Sequence, residues 1–247
     1  PRCPRSAPFR HVQPNDEARN WPYYRPFKFV EQIDLMYNTP GSKFRNTTFT
    51  VPNSGLILEF FDWEGNRSPA VDARAVDAGA PLLVLQVRRI EAAIDAVTQH
   101  GGSFVTPNGQ PVRFGNRRVM IVRDPDGFFI HLTNLDQPPP APEPGNVMGA
   151  TFRYTAVDAN RTAQFFKDVF GVTVYEARDF SDDPVLGKAM GLGSLLQRWA
   201  AGTVPSSTVG LQFAEYDSKL EGKKIDQALP RPGTSMLRLR VRDFDAA

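Results

Sequence analysis

Three arginines stand at positions that an extended chain would turn to one side. They are Arg153, between Phe152 and Tyr154, and Arg238 and Arg240 in the segment Met-Leu-Arg-Leu-Arg-Val that begins at Met236. Successive side chains of a strand point to opposite faces, so Leu237, Leu239 and Val241 would take one face and Met236, Arg238 and Arg240 the other. A guanidinium offers a rigid fork of donors that fits a carboxylate or a phosphate, so arginines gathered on one face suit an anionic ligand. Ion pairs with acids such as Glu215 or Asp217 would account for them as well, and paired surface arginines are common.

Histidine is the other residue type able to ligate a metal or move a proton near neutral pH. The chain has three: His11, His100 and His131. His131 lies between Ile130 and Leu132, where a hydrogen-bonded histidine inside a sheet is the plain reading. His100 falls in the last turn of a predicted helix, where positive charge suits the helix dipole. Asp124 and Asp126 resemble a carboxylate pair, but Asp124-Pro-Asp-Gly127 is a turn signal and reads as a hairpin closure. Trp21, Tyr23 and Tyr24 could line a ligand mouth or pack a core. The single cysteine, Cys3, excludes an internal disulfide and any cysteine-rich zinc site. Neither a glycine-rich phosphate loop nor a nucleophile elbow occurs.

Composition narrows the classes further. In 247 residues, 41% are hydrophobic and 23% charged, enough to bury one large core or two medium ones. A net charge of +2 without a basic block gives no case for nucleic acid or for a membrane surface. No apolar run reaches spanning length, and the first ten residues lack an apolar signal core. A cytoplasmic setting is the default expectation, with an upstream signal peptide left open.

The elements that must position these residues follow from an internal repeat. The segment Val51–Gly65 recurs as Val204–Ser218, with Pro52 matching Pro205, Leu58 matching Leu211 and Trp63 matching Tyr216. Gly79 to Ala93 likewise recurs from Gly233. Inside this long period lies a shorter one of about 75 residues. Leu82–Val87 reads as a strand, and Ile90, Ala93, Ile94 and Val97 as one helix face stopped by Gly101-Gly102. Strands follow over 110–114, 118–122 and 128–133, and the same order restarts at Thr151 with Ala163, Phe166 and Phe170 on a helix face. The modules run over about residues 1–65, 79–136, 148–218 and 233–247, and five prolines stiffen a linker at 136–145. The fourth module stops at Ala247 where its helix should begin, which reads as a truncated product or a fragment.

Two phrases carry a family resemblance: LQVRRIEAAIDAVTQHGG, a first strand running into its helix, and VMIVRDPDGFFIHLTN, two last strands joined by the Asp-Pro-Asp-Gly turn. They resemble the vicinal oxygen chelate superfamily, the fold of glyoxalases, bleomycin-resistance proteins and extradiol dioxygenases. The resemblance implies an α+β fold of repeated βαβββ modules, paired into cupped mixed sheets with helices on the outer face. It implies a first unit over 1–137 and a second over 146–247 whose last module is truncated. The two units could pack together, and a homodimer is open.

The resemblance also implies places for a divalent metal, in the first and last strands of each module. Carried over position by position, it points to His11, Glu59 and His131 in the first unit, with Leu82 leaving one corner vacant. Two imidazoles and a carboxylate would leave open sites on Fe2+, Mn2+ or Zn2+ for water and a substrate with adjacent oxygens. Glu59 and His131 would then be the catalytic pair of a metal-dependent lyase or dioxygenase. Against this, Glu59 could simply pair with an arginine such as Arg45 or Arg113. In the second unit Thr151, Gln212 and Met236 occupy the matching positions, so no metal is expected there. Arg153, Arg238 and Arg240 on its concave face suit an anionic small molecule instead. A metal-dependent enzyme and a small-molecule binder without chemistry are therefore both open, because this fold hosts many reactions.

Overall fold

The computed structural model describes residues 26–142, 144–176, 179–217, 223–226 and 231–240. His11 lies outside them, as do the aromatic residues at 21–24. The chain opens with α1 (Glu31–Tyr37) and a hairpin of β1 (Phe44–Thr50) and β2 (Ile57–Trp63). Next come β3 (Pro81–Val87), α2 (Ile90–Gln99), β4 (Ser103–Phe104), β5 (Val112–Phe114), β6 (Arg117–Arg123) and β7 (Phe129–Leu135). After the proline-rich linker follow β8 (Val147–Thr155), α3 (Ala159–Phe170), β9 (Thr173–Tyr175), β10 (Ser181–Asp182), α4 (Pro184–Ala189), β11 (Leu196–Thr203) and β12 (Gly210–Tyr216).

The local chemistry explains these elements. The branched run of β3 is buried along almost its whole length. Ile90, Ala93 and Val97 put one buried stripe on α2, which ends at His100 before Gly101 at φ +79°. Asp158 caps α3 by accepting from the Arg161 N–H at 2.9 Å, and Gly171 closes it in the left-handed conformation. The Asp124 carboxylate accepts from the Asp126 and Phe128 N–H groups at 2.9 and 2.8 Å, so the Asp-Pro-Asp-Gly hairpin is tied as its sequence suggests.

The strands form a mixed sheet in the order β10-β11-β12-β8-β3-β7-β6-β4, with β5 on β6 and β9 on β11. On each side of its centre the first strand runs parallel to the last: β3 with β7, and β8 with β12. At the centre β3 and β8 pair antiparallel. This differs from the expected grouping of 1–65 with 79–136 and of 148–218 with 233–247: the sheet joins 79–136 to 148–218, and β1–β2 forms a separate two-stranded sheet. The physical reason is the linker, which folds back instead of separating units. Arg88 donates to the Gly145 carbonyl at 2.9 Å, while Asn146 accepts from Arg89 N–H at 2.8 Å and donates to the Arg89 carbonyl at 2.9 Å. That clasp holds the start of β8 beside the end of β3.

Both long helices cover one face of the sheet. Leu83, Leu85, Met120 and Leu132 pack under α2, and Phe152, Leu211 and Phe213 under α3. The opposite, inner face carries the candidate chemistry. Residues 234–240 form no ladder, unlike the strand predicted there, yet the predicted alternation holds. Met236, Arg238 and Arg240 are exposed, while Leu237 joins the cluster beneath α3.

Candidate functional site

Register fixes the rows of the inner face. Tyr175, Ala201, Gln212, Arg153, Leu82 and Phe129 stand each opposite the next across six strands. The neighbouring row holds Thr151, Val84, His131 and Ile121. Directly opposed residues share a face, so Arg153 and His131 look out from one side of the sheet, diagonally placed.

A roof closes one half of this face. Asp183 caps α4, accepting from the Leu186 N–H at 2.9 Å, and Pro184 occupies the first turn where its missing N–H costs nothing. Thr106 donates to the Ala189 carbonyl at 2.8 Å, and Gln197 donates to Asp183 Oδ2 at 2.9 Å, so both ends of α4 are tethered. Leu186 and Ala189 of α4, with Val71, Ala73 and Ala75, then pack on Leu82, Ile121 and Phe129. His131 lies in this part of the sheet and retains 7% exposure.

Buried polar atoms remain unsatisfied on this face. Both ring nitrogens of His131, Nη1 of Arg153 and the Tyr216 hydroxyl are buried without a hydrogen-bond partner. Arg153 donates from Nε to the Gln212 side-chain oxygen at 2.9 Å. Burial pushes His131 well below the usual imidazole range, and the positive charges of Arg153 and Arg117 push the same way. The imidazole is therefore neutral, with one N–H to give and one lone pair to accept. Burial also raises the Tyr216 phenol, against the opposing charge of Arg153 and side-chain contacts with Arg153 and Thr155 that fall short of full hydrogen-bond geometry. Each unmade buried hydrogen bond costs about 1–3 kcal/mol, so these orphaned atoms are costly as they stand.

Glu59 stands on the hairpin sheet. It accepts from Asn46 Nδ2 at 2.6 Å and pairs with Arg238 Nη1 at 3.0 Å. Arg45 and Arg113, the partners considered for it, bond to Asp62 and Asp136 instead. Glu215, considered for the cup arginines, is held by Arg198 at 2.9 Å. Of the three arginines, Arg238 is thus paired, Arg240 is exposed, and Arg153 alone looks into the inner face with an unmet donor.

These residues do not fit a divalent cation. The charges bearing on His131 are two arginines, which would repel a dication, and both oxygens of Glu59 are already engaged. Among the described residues no three of His, Cys, Asp and Glu come together as a ligand set. Of the expected pair, Glu59 stands on β2 of the hairpin sheet and His131 on β7 of the large sheet. Tyr216, Trp199 and Tyr175 were passed over in the sequence. The alternation in Leu-Gln-Arg-Trp-Ala-Ala-Gly-Thr was the available signal, since it sets Trp199 on the same face as Ala201.

This fold has relatives of known structure. The model of the Glyoxalase/Bleomycin resistance protein/Dioxygenase superfamily matches residues 14–132. Two mutant structures of glyoxalase I from maize (Zea mays), in different crystal forms, overlay at TM-scores of 0.51 and 0.50. Both are 14% identical, cover 81% of this chain, and are themselves covered over 61% and 60% of their length. Methylmalonyl-CoA epimerase from Mycobacterium tuberculosis aligns at 15% identity and a TM-score of 0.37, over 59% of this chain and 93% of its own. No curated protein matches the chain in sequence. The fold is that of the superfamily, and the chain spans about three fifths of the glyoxalase structures it resembles. No helix among the described residues is long and apolar enough to cross a membrane.

Proposed function

We propose that the chain binds a small organic anion on the inner face of the sheet, with Arg153 as its anchor. The observation that carries this is the buried, unpartnered Nη1 of Arg153 on the inner face. An anion accepts from the guanidinium in a charge-assisted bond, roughly twice as strong as a neutral one. Tyr216, whose hydroxyl lies close to Arg153, supplies a second donor. The arginines around His131 make the site electropositive, which favours an anion and disfavours a metal.

Thermal unfolding with acetate, phosphate and sulfate, against sodium chloride at matched ionic strength, tests this reading. A ligand of the native state stabilises by about 2.7 kcal/mol at a hundredfold excess over its Kd. At least one of the three anions should raise the Tm of the unaltered protein and fail to raise that of Arg153→Met. Equal shifts in the two proteins, or none in either, would overturn it.

A further inference from the structure

The two halves of the inner face are finished differently. The half over β3, β7 and β6 is roofed by α4 and the segment at 71–76, over apolar residues with His131 among them. The half over β8, β12, β11 and β9 presents two large aromatic side chains to solvent: Trp199 at 51% exposure and Tyr175 at 69%. Their chain neighbours fix which way they point. Val174 and Ala200, adjacent to Tyr175 and Trp199, pack in the cluster beneath α3. Alternation therefore turns Tyr175 and Trp199 to the inner side.

Their spacing is that of a shallow slot. Tyr175 stands opposite Ala201, and Trp199 lies two residues along the same strand, so the two aromatics are diagonal neighbours within side-chain reach. Ala201 faces Gln212, and Gln212 faces Arg153. Two strand spacings, about 10 Å, separate the Ala201 backbone from that of Arg153. The floor between is Ala201, Gly210 and the Gln212 amide, so little projects to fill it. Gln212 is itself held by Arg153 Nε, which leaves Nη1 as the unmet donor.

Resting on the anion site above, we propose that its ligand is a planar aromatic monocarboxylate, with the acid on Arg153 and the ring on Trp199 and Tyr175. One guanidinium with one unmet donor matches a single carboxylate, whereas a polyphosphate calls for several cations. The exposed rings would be covered by a flat apolar body, which an aliphatic anion such as acetate does not provide.

Calorimetric titration of the full chain with benzoate, phenylacetate, acetate and propionate decides it. The aromatic acids should bind about tenfold more tightly than the aliphatic pair. In Trp199→Leu that preference should fall to about threefold or less while acetate affinity is kept. Tyr175→Leu is the second variant and should act the same way; both side chains are exposed, so neither change threatens the fold. Aromatic and aliphatic acids binding equally, or a preference that survives both variants, would overturn the aromatic assignment and leave the anion site standing. If none of the four acids binds, the anion site itself fails and this assignment with it.

Discussion

Glu59 on β2 and Arg238, far along the chain, form an ion pair at 3.0 Å, with the Arg238 side chain 67% exposed and that of Glu59 only 19%. The pair ties the hairpin of β1 and β2 to the segment at 233–240 and engages a residue that the family resemblance had marked as a metal ligand. Exposed pairs of this kind contribute about 0.2–1 kcal/mol. A double-mutant cycle of Glu59→Gln and Arg238→Met, read by denaturant unfolding, should return a coupling in that range. A coupling near zero would mean that the contact is incidental.

His131 should limit stability in acid. Its folded-state pKa lies well below the unfolded value near 6.5, because of burial first and of Arg153 and Arg117 second. Below that unfolded value the unfolded chain takes up a proton that the folded chain refuses. Stability is therefore present above about pH 6.5 and lost as pH falls. His131→Leu removes two unpartnered buried nitrogens from among apolar neighbours and should stabilise the protein by about 1–3 kcal/mol. It should also flatten the profile between pH 7 and pH 5. An unchanged slope would show that other groups set the acid limb.

Asp124 works in the opposite sense. Burial pushes its carboxyl up to about 6, against the hydrogen bonds that it accepts from Phe128 and Asp126 and with the nearby Asp126 charge adding to the rise. The folded state holds the proton more tightly, so this group's contribution is full below about pH 4 and fades as pH rises through 6. Asp124→Asn keeps an acceptor for both turn N–H groups and should remove that part of the dependence. A variant with the wild-type difference between pH 4 and pH 7 would contradict the assignment.

Glu215 anchors the start of α3. It accepts from the Ala159 N–H at 2.9 Å and from Arg198 at 2.9 and 3.1 Å, and it is buried. Glu215→Ala leaves a helix N–H and a guanidinium unmet and should cost about 1.5–3 kcal/mol by urea unfolding. A loss under about 0.5 kcal/mol would place the anchor elsewhere.

The fold was largely legible because its signals are local. The branched run of β3, the stripe on α2, the Asp-Pro-Asp-Gly turn and the caps of α3 are each set by neighbouring residues. α4 left a readable trace, Asp183 followed by Pro184, but six residues are too few to show a helical period. β1 alternates weakly, since Phe-Arg-Asn-Thr-Thr-Phe-Thr mixes polar and aromatic residues on both faces. Strand pairing was not legible: whether β3 meets β8 or a strand of the first 65 residues is decided by contacts distant in sequence. The site inherits that limit. Parity alone put Arg153 on the inner face, whereas nothing local to Glu59 or His131 says which sheet each would join.

The most direct test of the anion site is a crystal structure of the full chain grown with sodium benzoate. The account predicts a carboxylate oxygen within hydrogen-bond distance of Arg153 Nη1. A benzoate bound elsewhere, or Arg153 Nη1 satisfied by a protein carbonyl or carboxylate, would contradict it.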